Sequence, residues 1–142
     1  MKPILLGLLF GTVVLSGCAT AHSFVVGSPY GPDNALTGGY SETRLATDIV
    51  RIVFRGNSST SEARAKDLAL LRAADLSLQA GFPFFRVEKE ETEVAKSTSD
   101  DTTISMPRSE ILVQFLRDKS SGSLVFDAVF LVRTLKEKYK IE

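Results

Sequence analysis

The 142-residue chain is long enough for one modest domain and too short for two well-buried ones. Its 44% hydrophobic and 24% charged residues exclude a disordered chain, and 17 Lys and Arg against 17 Asp and Glu leave no basic excess for nucleic acid. One cysteine, one histidine and no tryptophan exclude an internal disulfide and the usual zinc sites, so neither a cofactor nor a metal is expected.

Lys2 precedes the uncharged run from Pro3 to Leu15, whose last residue opens the segment Leu15-Ser16-Gly17-Cys18. The run is too short for a helix that spans a membrane, which needs about 20 apolar residues, and it fits the core of a secretory signal. The four residues Leu15 to Cys18 resemble the lipobox of bacterial lipoproteins. The resemblance implies residues 1–17 as a signal peptide, a lipid on Cys18 (palmitate-type acylation included), and a membrane partner reached through that lipid. Ala19 rather than aspartate after the cysteine resembles an outer-membrane address facing the periplasm. Loss of Lys2 leaves a mature charge of −1.

Residues 18–37 carry Gly27, Pro29, Gly31, Pro32, Asp33 and Asn34 and no apolar period, and they read as a flexible lipidated tether. His22 is read as a plain linker residue. The domain is expected over 38–142. Gly38 to Arg44 and Asp48 to Arg55 read as strands around a short turn. In the second strand Val50, Ile52 and Phe54 point one way, and Arg51, Val53 and Arg55 the other.

Ser59 and Glu62 have capping-box spacing and predict a helix running to Ala80, stopped by Gly81 and Pro83. Ala63, Leu70, Leu71, Ala74 and Leu78 form one apolar arc. Ala65, Ala69, Ala73, Leu76 and Ala80 form a second, and Leu68 falls on the wet stripe with Arg64, Arg72, Asp75 and Gln79. Phe82 to Glu91 reads as a third strand, and residues 92–107, rich in Thr, Ser and Asp, as a long mobile loop. Ser109 to Arg117 reads as an inner fourth strand. Phe126 to Tyr139 reads as a second helix with Phe126, Val129, Phe130 and Val132 toward the core. The order β-β-α-β-β-α predicts an α+β two-layer sandwich: a four-stranded, mostly antiparallel sheet with two helices on one face.

The segments Gly39-Tyr-Ser-Glu-Thr-Arg-Leu45, Phe54-Arg-Gly-Asn57, Leu70-Leu-Arg-Ala-Ala74 and Gly81-Phe-x-Phe-Phe85 resemble a family of small bacterial lipoproteins of unknown function. Asp75 departs from the Glu expected there. The resemblance implies fold and localisation and carries no catalytic residue.

The only histidine lies in the expected tether and the only cysteine carries the expected lipid, so Ser-His-Asp and Cys-His catalysis are excluded and no enzyme is expected. Glu88, Glu90, Glu91, Glu93, Asp100 and Asp101 read as a solvated strand end leading into the loop. The candidate interaction surface is Arg51, Arg55 and Arg86 on the sheet face away from the helices, with Tyr40, Glu42 and Arg44 expected to join them. The function expected is that of a non-enzymatic envelope lipoprotein, an accessory or assembly partner of other envelope proteins. The alternative is a periplasmic binding module that takes a small anionic or cell-wall ligand on the arginine face.

Overall fold

The computed structural model describes residues 27–119 and 124–142; the segment expected to be a signal peptide, Cys18 and His22 lie outside them. Chain order is β1 (Gly39–Arg44), β2 (Ile49–Arg55), α1 (Glu62–Gln79), β3 (Phe84–Ser99), β4 (Thr102–Leu116), β5 (Val125–Asp127) and α2 (Ala128–Tyr139). The architecture is α+β with two helices, and the strands form one sheet in the order β1-β2-β4-β3-β5 with every pairing antiparallel. The sheet thus has five strands rather than four. β5 pairs Phe126 with Phe85 where the sequence suggests the start of the last helix, and the two rings stack at 5.3 Å.

Alternation builds the core. Val50, Ile52 and Phe54 on β2 and Ile111, Val113 and Phe115 on β4 are buried on the same face, with Ile52 opposite Ile111 and Val50 opposite Val113. Phe85 on β3 sits opposite Phe115 and is also fully buried. Each of these side chains contributes about 1.5–3 kcal/mol by leaving water.

α1 covers that face. Its cap is Ser61, whose hydroxyl accepts from the Arg64 amide at 3.1 Å, not Ser59 two residues earlier. The alanine arc Ala65, Ala69 and Ala73 is fully buried, and small side chains there let the helix lie close to its neighbours. Leu68 is fully buried, contrary to its expected place on the wet stripe, whereas Ala63 and Leu78 are exposed. The apolar face is therefore rotated toward Leu68, which a helix packed on two sides accommodates. The helix ends in a Schellman turn: Phe82 N–H bonds Ser77 O at 2.9 Å, Gly81 N–H bonds Leu78 O at 3.0 Å, and Gly81 takes φ +81.

α2 packs along α1, where Lys138 Nζ and Tyr139 Oη both reach Asp67 at 2.7 Å. Asp127 caps it, accepting from Phe130 N at 2.9 Å, so the helix starts after Phe126. Ala128 and Leu135 face the core, while Val129 and Phe130, expected inside, are 60% and 56% exposed.

Two further expectations are corrected. Residues 92–107 are not a mobile loop. They are the outer half of a continuous β3–β4 hairpin whose register runs unbroken from Lys89–Leu112 to Ser99–Thr102. The turn residues Asp100 and Asp101 take φ 44 and 65, the left-handed pair of a two-residue hairpin loop. The hairpin projects past β2, whose last partner pair is Arg55–Arg108, so both its faces meet solvent and no apolar alternation marks it.

The second correction concerns residues 27–37, which are not a free tether. Ser28 is fully buried, its hydroxyl accepting from Asn57 N at 2.7 Å and its amide donating to Thr60 Oγ1 at 2.8 Å. Asp33 N–H bonds Tyr40 O and Tyr40 N–H bonds Gly31 O, both at 2.8 Å, so this segment covers the start of β1's outer edge.

Candidate interaction surface

Arg51, Arg55 and Arg86 do share the sheet face opposite α1. On β2 they alternate with the buried Val50, Ile52 and Phe54, and Arg86 lies opposite Gln114, between the buried Phe115 and Val113 partners. None is a bare cation. Arg51 Nε lies 3.4 Å from Glu110, Arg55 donates to Asp33 Oδ1 at 2.8 and 3.1 Å and to Asn34 O at 2.9 Å, and Arg86 bonds Glu88. Arg86 also donates to Gln114 Oε1 at 2.8 Å, and Gln114 donates onward to Asp48 at 2.9 Å, a polar chain running across the sheet. Half-buried Val53, Leu112, Leu116 and Phe84 lie between these charges on the same face. Among the described residues no element covers it.

Two hollows open on this side. One beside Arg51 is about 70 Å³, lined by Arg51, Lys89, Glu91, Glu110 and Leu112. Lys89 and Glu91 are exposed and bond each other at 2.7 Å, which raises the lysine pKa and lowers that of the carboxylate. The larger, about 580 Å³, is an open groove where the hairpin leaves the sheet. Arg55, Arg108 and the 56–58 loop form its base, Leu36 one wall, and Ala95, Ile104 and Met106 the other.

Tyr40 and Glu42 do not join the arginines. Their β1 positions pair with Phe54 and Ile52, the helix-facing side of β2. There Glu42 receives Nε and Nη2 of Arg72 at 2.7 and 2.8 Å, and the Arg72 guanidinium lies 4.1 Å from the Tyr40 ring centre. Tyr30 packs on Tyr40 at 5.1 Å and donates its hydroxyl to Asp75. Burial, and then the Asp75 bond, push the Tyr30 phenol well above its ordinary pKa. The Glu42 bond likewise raises that of Arg72. The network locks the 27–37 segment to β1 and α1. Sequence reading missed it because the contributing positions are 30 and 45 residues apart; the local signal was limited to Arg72 and Asp75 on the polar stripe of α1.

The acidic run behaves as a solvated strand: Glu88 pairs with Arg86, Glu90 with Lys66 and Glu91 with Lys89. Among the described residues no group of three or more His, Cys, Asp or Glu side chains could hold a metal ion, and no helix is long and apolar enough to cross a membrane. Comparison with protein-family models, with curated proteins and with solved structures finds no match.

Proposed function

We propose that the protein is a lipid-anchored accessory protein of the bacterial envelope, held through Cys18 and offering its open sheet face to another envelope protein. The observation that carries the partner half of this reading is that face itself. It is a broad, helix-free surface on which ion-paired arginines surround half-buried Val53, Leu112 and Leu116, a composition suited to protein contacts. The guanidiniums already hold carboxylates, which gives the small-anion alternative less support. The anchor half rests on the lipobox-like Leu15-Ser16-Gly17-Cys18. Nine peptide units join Cys18 to Gly27, a reach of at most about 30 Å, and Gly27 lies against Ser59 and Arg64 at the start of α1. The domain would therefore stand close to the bilayer.

Two experiments on intact cells test the two halves. Labelled palmitate should enter the native chain and not the Cys18→Ser variant; equal labelling removes the anchor. A photo-crosslinking residue at position 51 should yield an adduct with one distinct envelope protein, while the same residue at position 79 on the exposed end of α1 should not. No adduct at 51, or the same adduct at both, overturns the partner reading.

A further inference from the structure

The hairpin arm presents two strand edges, and they are unlike. Beyond Arg86, where β5 stops, the β3 edge carries Glu88, Lys89, Glu90, Glu91, Glu93 and Lys96, with a bulge between Val87 and Lys89. Charges and bulges are the devices that keep an edge from pairing. β1 is bonded at Tyr40 by residues 31–33 and carries Glu42 and Arg44 beyond it, and β5 is three residues long. The β4 edge from Thr102 to Met106 has no such protection: Thr-Thr-Ile-Ser-Met is uncharged and β-branched-rich, and Ile104 and Met106 are 44% and 40% exposed. A lone two-stranded ribbon is marginal in water, so this edge has reason to pair.

Backbone parity states which groups are available. Gly56 N–H bonds Pro107 O, and Phe115 N–H bonds Asp48 O, each at 2.7 Å. Odd-numbered residues of β4 thus turn their backbone groups toward the β2 side. Past Arg108 there is no β2 residue opposite, and Thr103 and Ser105 are left with outward N–H and C=O groups.

We infer that this edge pairs with the same edge of a second copy, antiparallel about a twofold axis at Ile104. That register sets Thr103 opposite Ser105 of the second copy and Ser105 opposite its Thr103, closing two hydrogen-bonded pairs, while Ile104 meets Ile104 as the close, non-hydrogen-bonded pair. Thr102 faces Met106 on the groove side. An edge without charge sets no like charges against each other. The same register carries each acidic tip, Asp100-Asp101, to the base of the other arm beside the 580 Å³ groove, where Arg51, Arg55 and Arg108 are matched by two carboxylates, Asp33 and Glu110, and one positive charge is left over. Opposite charges therefore meet at both ends of an apolar centre, and an isologous contact of this kind closes as a dimer. The ladder is short, so association is of the transient class. The contact uses the arm and leaves the Arg51–Leu112 face open, so it stands or falls separately from the accessory role.

The test uses the full chain in nonionic detergent. In a Cys18→Ser background, Ile104→Cys should form a disulfide-linked dimer at least about tenfold faster than Thr98→Cys on the opposite edge, because a non-hydrogen-bonded pair brings Cβ atoms within disulfide reach. Equal rates, or faster linkage at 98, overturn the proposal. By sedimentation across a concentration series, the native chain should shift from monomer to dimer. Ile104→Lys should hold it monomeric, and Asp100→Asn with Asp101→Asn, which keeps the turn, should weaken the dimer. A native chain that stays monomeric, or an Ile104→Lys variant that associates as the native chain does, overturns it. Far-ultraviolet melting of each variant confirms the fold, since position 104 is outside the core.

Discussion

Glu42 and Arg72 meet in a two-pronged ion pair between the edge strand and the first helix, with Oε2 and Oε1 at 2.7 and 2.8 Å from Nε and Nη2. The arginine is only 14% exposed and its guanidinium sits over the Tyr40 ring, 4.1 Å from the ring centre. This pair joins β1, whose backbone bonds run to β2 and to the 31–33 segment, to the helical layer.

Arg72→Ala should therefore destabilise the protein by about 1.5–3 kcal/mol, the range for a hydrogen bond to a charged group, in urea unfolding. Arg72→Lys should recover only part of this, because an ammonium neither grips both carboxylate oxygens nor stacks on the tyrosine. Full recovery by lysine would show that charge alone matters there.

Tyr30 makes stability depend on alkaline pH. Its phenol is held protonated above the ordinary value of 10.0 by burial and by Asp75. The unfolded chain releases that proton near pH 10 while the folded chain keeps it, so the unfolded state gains relative stability as pH rises. The contribution is fully present below pH 10 and declines above it. Tyr30→Phe should unfold more easily at pH 7, by about 1 kcal/mol for the lost hydrogen bond, and should show a shallower fall in stability between pH 10 and 11. Parallel slopes for both proteins would contradict this account.

Gly38 is a backbone requirement. It takes φ +76, and a Cβ there would stand 2.1 Å from the Arg55 carbonyl oxygen and 2.9 Å from Ser28 Oγ. Gly38→Ala should cost more than about 1 kcal/mol and should release the 27–37 segment, read as faster proteolysis before Tyr40. Gly31→Ala, with nothing within 4 Å, is the matched control.

What was legible in the sequence follows from where signals are local. Val50, Ile52 and Phe54 alternate beside Arg51 and Arg55, and both the strand and its two faces could be read from that alone. Gly81 after a long apolar period marked the end of α1. The arm escaped because Thr92 to Met106 has solvent on both sides, so polarity replaced alternation; the surviving signals were its threonines and the Asp-Asp turn. Tyr40 and Glu42 were placed on the wrong face because the register of β1 against β2 is a tertiary fact. Residues 27–37 read as a linker because their anchors, Asn57, Thr60 and Asp75, lie far along the chain.

The start of α1 separates a sequence signature from the geometry that uses it. Ser59 and Glu62 have the spacing of a capping box, yet Ser61 holds the cap, with φ −76 and ψ 156, and bonds the Arg64 amide. Asn57 and Thr60 draw Ser59 into the preceding turn, where Asn57 Oδ1 accepts from both Ser59 N and Thr60 Oγ1. Ser61→Ala should then lower stability by about 1 kcal/mol, and Ser59→Ala should stay within about 0.5 kcal/mol of the native chain, as surface changes usually do. Urea titration of the two variants side by side checks it. A larger loss at Ser59 than at Ser61 would move the cap back to the box and shift the first turn of the helix by two residues.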